Sequence, residues 1–229
     1  MPSFKRENKP KLVLKKRRIR AYFLSIEKKK RKNEVFDESA EELYVDGMVY
    51  IQMRLPTDKI TKNFENLLKN KIEQNIIQAI IRQAKKEDLD SLKKMYNRAW
   101  LTSNTPFRPI TKTDLSKILE SPDTVFFIAT VYGIDAAFVL LDFEGDNNEF
   151  AVIAALAVIP RFQRRGLGKI LAVYIWNFIK QNYNNVREIR AEVYKDNKVS
   201  YAFIVEIGFE EYEKRVYRKE DFEIENNSL

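Results

Sequence analysis

A nearly continuous apolar run, Ala151 to Val158, is followed by Pro160, by Gly166 and Gly168, and then by a strongly apolar stretch to Gln181. The run is strand-sized and shows no polar alternation, so it predicts a strand buried on both faces. Pro160 ends it, and the spacing predicts a helix over 166–181. A buried strand feeding directly into a helix needs a sheet with helices packed on it, which restricts the chain to an α/β architecture.

The turn between them has a chemistry of its own. Glycines two apart let the backbone approach a bulky anion, and the first amides of a helix lack helical partners. With the helix dipole they form a phosphate site. Arg161, Arg164 and Arg165 either add charge to that site or are simply solvated. It is not a P-loop, because the Gly-x4-Gly-Lys-Ser/Thr spacing is absent. Nor is it a dinucleotide fingerprint, since Leu171 stands where a third glycine would be needed.

Around this unit the alternation of patterns predicts strands at Ile76–Arg82, Thr124–Val131, Ala136–Asp142, Glu188–Tyr194 and Phe209–Tyr217. Helices are predicted at Glu87–Trp100, Thr111–Leu119 and Lys198–Ile207, giving the order β-α-α-β-β-β-α-β-α-β. Ahead of it, Val49, Ile51, Met53 and Leu55 alternate with Tyr50, Gln52 and Arg54 as a strand. A helix capped by Thr57 or Asp58 follows, with Ile60, Phe64, Leu67, Leu68 and Ile72 on one face.

The charge is unevenly placed. Residues 1–33 hold 14 Lys/Arg against 2 Asp/Glu, residues 34–75 hold 5 against 9, and residues 76–229 hold 22 of each. This shift divides the chain into a small basic α+β N-terminal extension, 1–75, an α/β domain, 76–222, and a tail, 223–229. Residues 11–32, with Lys15-Lys-Arg-Arg18, Tyr22, Phe23 and Lys28-Lys-Lys-Arg-Lys32, predict a basic helix. It is suited to nucleic-acid or ribosome contact, or to a solvated or internally docked surface. No stretch reaches 18 apolar residues and the first sixteen residues lack a secretory apolar core, which reads as a cytoplasmic protein without a membrane role.

The sequence contains no cysteine and no histidine. Disulfides, thiolate or imidazole metal sites, cysteinyl acyl-enzymes and serine–histidine triads are therefore excluded, and no metal is expected. A base here is a carboxylate, tyrosine, lysine or water.

Gln163-Arg-Arg-Gly166-Leu-Gly168, preceded by Ala157-Val158-Ile-Pro160 and followed by Asn197, Ser200 and Gly208-Phe209, resembles the signature of the GNAT superfamily of N-acetyltransferases. The similarity spans residues 78–219, and Ala191-Glu-Val-Tyr-Lys-Asp-Asn197 looks most like enzymes acting on protein N-termini, ribosomal proteins included. The resemblance implies a GNAT fold, a central mixed sheet flanked by helices, and acetyl transfer from acetyl-CoA to an amine by direct attack in a ternary complex; the acceptor is a protein or peptide α-amine, a lysine or a small amine, and the local resemblance favours a protein. It implies that Leu156, Ala157 and Val158 present backbone groups to the pantetheine. The amides of Gln163, Arg164, Arg165, Gly166, Leu167, Gly168 and Lys169 would hold the pyrophosphate, and Asn197 would lie beside the pantetheine, a residue equally placed to cap the helix at Lys198.

Arg190, Glu192 and Tyr194 share one face of their strand. Glu192 stands where the related enzymes carry a glutamate that often serves as base, or else it forms an ion pair with Arg190. The tyrosine that the family places four residues before the Gly-Phe glycine, to protonate the departing thiolate, is replaced by Ile204. Tyr201, one turn earlier, either substitutes for it or packs in the core or against the cofactor, and the second is the stronger reading. The rival reading is a CoA-binding or nucleic-acid-binding module of the same fold without turnover.

Overall fold

The computed structural model describes residues 48–73, 77–103 and 110–217. The basic helix expected over 11–32, the loop at 105–109 and the tail at 223–229 lie outside the described residues. Seven strands form one sheet in the order β2-β3-β4-β5-β6-β1-β7. The strands are β1 (Met48–Pro56), β2 (Ile80–Gln83), β3 (Thr124–Val131), β4 (Ile134–Glu144), β5 (Phe150–Val158), β6 (Glu188–Tyr194) and β7 (Glu210–Tyr217). The helices are α1 (Lys62–Glu73), α2 (Leu89–Trp100), α3 (Lys112–Leu119), α4 (Leu167–Asn182) and α5 (Lys198–Glu206). From β2 onward this is the element order read from the sequence.

The sheet is covered on both sides, and β3 shows why its residues are apolar throughout. Phe126 packs toward Phe138, whose ring neighbours Tyr96 of α2. The next residue, Phe127, meets Tyr174 and Phe178 of α4 edge-on, with centroids 5.1 and 4.8 Å away. Consecutive strand residues point to opposite faces, so α2 and α4 belong to opposite layers. On α4 the buried stripe Leu167, Leu171, Ile175 and Ile179 recurs every four residues. Each such side chain stabilises the fold by about 1.5–3 kcal/mol. Trp176 on the same helix donates its indole N–H to Glu65 of α1 at 2.7 Å, which ties α1 to this layer. α3 begins at a capping box in which Thr111 Oγ1 accepts from the Asp114 amide and Asp114 accepts from the Thr111 amide.

The strand at 48–56 forms as expected, but it is not part of a separate extension. It lies between β6 and β7, antiparallel to both, with Gln52 opposite Glu192 on one side and Glu213 on the other. Its apolar face, Met53 and Leu55, is buried in the common core. Gln52, expected on the outer face, is 2% exposed, because an interior strand has neighbours on both edges and both faces. The charge shift near Asn75 therefore does not mark the edge of the folded unit. Nor do Thr57 or Asp58 cap the next helix: residues 57–59 form a 3-10 turn, and Thr61 Oγ1 accepts the Phe64 amide at the start of α1. Among the described residues no helix is long and apolar enough to cross a membrane.

Candidate acyl-transfer cleft

β5 and β6 are the only parallel neighbours among the described strands, and they pair only from Phe150↔Glu188 to Ile153↔Ala191. The reason for the parting is visible on the other edge of β5. Leu140 faces Ala155 and Leu141 faces Ile153, so Ala154 is an extra residue in the ladder with β4. A bulge bends the strand that carries it and stops pairing on the far edge. Beyond Ala154 the backbone edge of β5 turns to a cleft instead of to β6. The expectation that β5 is buried on both faces holds up to Ile153. After it, Ala154, Leu156 and Val158 are half-exposed and line the cleft.

The cleft encloses about 1270 Å³, more than the roughly 300–1000 Å³ of an ordinary small-molecule site. Leu156, Ala157, Val158, Gln163, Arg164, Gly166, Leu167, Gly168, Lys169, Glu192 and Asn197 all line it. Arg165 and Tyr201 are not among the lining residues.

One end of the cleft is the turn into α4. Phe162 is buried beneath it as an anchor. Arg164 and Gly166 both have positive φ, 58° and 81°, which curls the backbone amides to one side. The first helical bond runs from the Ile170 amide to the Gly166 carbonyl, so the amides of Leu167, Gly168 and Lys169 have no acceptor inside the helix. These groups fit a diphosphate. Gln163 contributes differently from expectation: its amide donates to Pro160 O at 3.2 Å and its side chain donates to Val158 O at 2.9 Å. It fastens the turn to the end of β5. Gly168 also differs from the expected close approach to an anion, because a Cβ there would lie 2.9 Å from the Phe203 ring of α5. Lys169 Nζ sits 2.7 Å from Glu206. Asn197 Oδ1 accepts the Ser200 amide at 3.0 Å and so caps α5, while the residue also lines the cleft.

At the other end stands Glu192. The expected ion pair with Arg190 does not form: Arg190 pairs with Glu188 at 2.7 Å and lies over the Phe150 ring. Glu192 instead accepts the Tyr217 hydroxyl at 2.9 Å, with Arg215 at 3.9 Å, and its side chain is 12% exposed. Tyr50, Tyr194, Tyr96 and Trp100 complete this end. Burial first, and then the charge of Glu192, push the Tyr50 phenol well above the usual tyrosine range, so it stays protonated. The amide nitrogen of buried Gln52, opposite Glu192 in the ladder, has no hydrogen-bond partner among the described residues. Sequence reasoning missed these residues of β1 and α2, and the alternation of Tyr50 and Gln52 gave no sign of which strand they would meet.

The two α5 positions weighed for an acid point differently. Tyr201 reaches toward Glu211 on β7, with 3.4 Å between the oxygens, whereas Ile204 is buried and lines the cleft. Lys198, Val199, Ser200, Ala202, Phe203, Ile204 and Glu206 of α5 line the cleft, and Tyr201 does not. Among the described residues no group of three or more carboxylates is placed to hold a metal ion.

A sequence profile of the acetyltransferase (GNAT) family matches residues 89–209. No curated protein matches the chain by sequence. Solved structures of like fold include the PaiA N-acetyltransferase of Thermoplasma acidophilum in complex with coenzyme A, 19% identical with a TM-score of 0.51, covering 61% of this chain and 99% of that one. The ribosomal-protein-S18-alanine N-acetyltransferase of Escherichia coli is 21% identical with a TM-score of 0.50, covering 59% of this chain and 80% of that one. A conserved protein of unknown function from Staphylococcus epidermidis is 14% identical with a TM-score of 0.54, covering 80% of this chain and 66% of that one.

Proposed function

The chain belongs to the acetyltransferase (GNAT) family, and from that premise we propose that it transfers acetyl from acetyl-CoA to an amine, the α-amine of a protein, by direct attack in a ternary complex. The observation that carries this reading is the parting of β5 from β6 at Ala154, with helix amides at one end of the opening and a lone acceptor-side carboxylate, Glu192, at the other. The diphosphate of acetyl-CoA lies on the amides of Leu167, Gly168 and Lys169 beside Arg164, and its pantetheine runs along the unpaired edge of β5 past Asn197. Its thioester then sits where the strands part, within reach of an amine entering past Glu192.

Only a neutral amine attacks. At pH 7 deprotonation costs about 1 kcal/mol for an α-amine and about 4.6 kcal/mol for a lysine. A carboxylate acting directly or through water meets the first demand, and Glu192 is the base in this reading. The amine nitrogen bonds to the acetyl carbon, its proton passes to Glu192, and the C–S bond breaks to release the CoA thiolate. With a thiol pKa of about 8.5, leaving unprotonated at pH 7 costs only about 2 kcal/mol, so a site with Ile204 in place of tyrosine remains competent.

Calorimetric titration with acetyl-CoA and thiol release on peptide mixtures test the reading. Glu192→Gln should bind acetyl-CoA normally and turn over about 10²–10⁴-fold more slowly, with the loss shrinking at high pH. Full activity in that variant removes Glu192 from the chemistry. Wild-type acetyl-CoA affinity in Gly166→Val removes the cofactor assignment. A second reading, a CoA-binding module without turnover that contacts nucleic acid through residues 11–32, is favoured by buried Ile204 and by the 14 Lys/Arg of residues 1–33. Tight acetyl-CoA binding without thiol release on any amine would select it.

A further inference from the structure

The acceptor end of the cleft is built of aromatic rings. Tyr50 of β1 stands 5.6 Å from Tyr194 of β6, centroid to centroid, and Tyr96 stacks on Trp100 of α2 at 4.4 Å. All four line the same cleft, with Glu192. Charge is sparse there. Of the carboxylates lining the cleft among the described residues, Glu206 is held by Lys169 at the opposite end, which leaves Glu192 at the aromatic end. Arg215 beside it divides its charge between Glu192 and Glu213.

One ammonium suits such a site. It meets the carboxylate of Glu192 and the negative faces of the tyrosine and tryptophan rings. A second positive charge on the same acceptor would find no second carboxylate lining the rings, since Asp196 is engaged by the Tyr194 hydroxyl, and burial penalises it. The ring walls in turn offer a flat apolar body the contact that a small or strongly hydrated group cannot use.

We propose that the acceptor is a singly charged primary amine with an aromatic or bulky apolar group next to the amine, and that Tyr50, Tyr96, Trp100 and Tyr194 select it. The inference rests on the acetyl-transfer reading above and narrows its substrate class. The same ring contact is offered by the first residue of a peptide, the acceptor proposed above, and by a free arylalkylamine, whose amine is about as costly to deprotonate as that of lysine; the assay separates the two.

The full chain is assayed for thiol release with acetyl-CoA and, in turn, phenethylamine, a tripeptide amide beginning with phenylalanine, its alanine-first counterpart, and spermidine. Expected is a kcat/KM at least about tenfold higher for an aromatic acceptor than for the alanine peptide or spermidine. Preference for phenethylamine marks a small-molecule source, and preference for the phenylalanine peptide a peptide source. Trp100→Leu should erase the preference while calorimetric acetyl-CoA affinity stays unchanged. A second measurement does not depend on turnover. In a Trp176→Phe background Trp100 is the sole tryptophan, and its emission should respond saturably to phenethylamine but not to spermidine. Equal or better use of spermidine, or no emission response to phenethylamine, overturns the proposal. Failure to bind acetyl-CoA overturns the acetyl-transfer reading, and the emission titration then still decides the aromatic site.

Discussion

Gly168→Ala separates two roles that a pair of glycines at a helix start would otherwise share. The new Cβ would lie 2.9 Å from both Cε2 and Cζ of Phe203, whereas carbon atoms rest at about 3.5–4.0 Å. The ring must therefore withdraw by about 0.6 Å or more. Phe203 is half-buried and already lines the cleft, so the room it finds lies in the cleft. Overpacking of this kind costs about 1–3 kcal/mol, offset by at most about 1 kcal/mol of helix propensity gained on replacing glycine. A net loss of about 0.5–2 kcal/mol in urea unfolding is expected, together with weaker calorimetric binding of acetyl-CoA. Shortening the ring relieves the contact. In the double variant with Phe203→Leu the two losses should fall short of their sum by about 1 kcal/mol, and part of the affinity should return. Gly166→Ala differs, because its cost comes from a φ of 81° and should add independently to Phe203→Leu. Additivity of Gly168→Ala with Phe203→Leu within about 0.5 kcal/mol would refute the packing role assigned to Gly168.

A chain beginning at residue 77 lacks the strand between β6 and β7 and should fail to show a cooperative thermal transition, whereas deletion of residues 1–33 should leave the transition in place; circular dichroism on both reads the outcome. Met53→Ala, at a fully buried position on that strand, should cost about 2–5 kcal/mol in chemical unfolding. Asp88 is held below the usual carboxylate range, chiefly by the Arg82 guanidinium at 2.7 and 2.8 Å and further by the Lys85 amide. A lowered folded-state pKa gives stability that is full above the unfolded value of about 3.9 and is lost as pH falls through the folded one, so Asp88→Asn should lower the urea midpoint at pH 7 and narrow its gap to wild type below about pH 4. Tyr201→Phe should leave turnover and acetyl-CoA affinity nearly unchanged, and a large fall in thiol release with binding intact would restore Tyr201 as the acid.

The parts of the molecule legible in the sequence are those whose signals are local. The β5–α4 unit announces itself within about thirty residues, because an uninterrupted apolar run, a proline, two glycines and a four-residue apolar repeat each have one structural meaning. The stripe Leu89, Leu92, Met95, Tyr96 and Ala99 was readable in the same way and is buried as read. Pairings between distant segments were not. Nothing in Met48–Pro56 says that its neighbours are Glu188–Tyr194 and Glu210–Tyr217, so the aromatic end of the cleft, shared by Tyr50, Tyr96 and Tyr194, could not be assembled beforehand. Alternation placed Glu192 and Arg190 on one face, as observed, but could not choose their partners, since Glu188 lies equally close to Arg190 along the strand. On α5 the short periodicity left Tyr201 and Ile204 both near the cleft, and only the packing of α5 on β6 decided between them.

The place of β1 sets the order in which this protein is completed. It is the first described strand to leave the ribosome, yet each of its ladder partners lies between residues 188 and 217. Until residues 188–194 are made, β1 has no ladder partner beside Glu192, and its second edge stays open until residues 210–217 follow. An unpaired strand edge next to an apolar face is a template for association with other chains. Ladders that close over so many residues form late, because the loop must be ordered before the contacts return anything. The Glu192 end of the cleft is therefore the last part of the sheet to be built, and a stalled or truncated chain would carry the glycine turn before α4 without it.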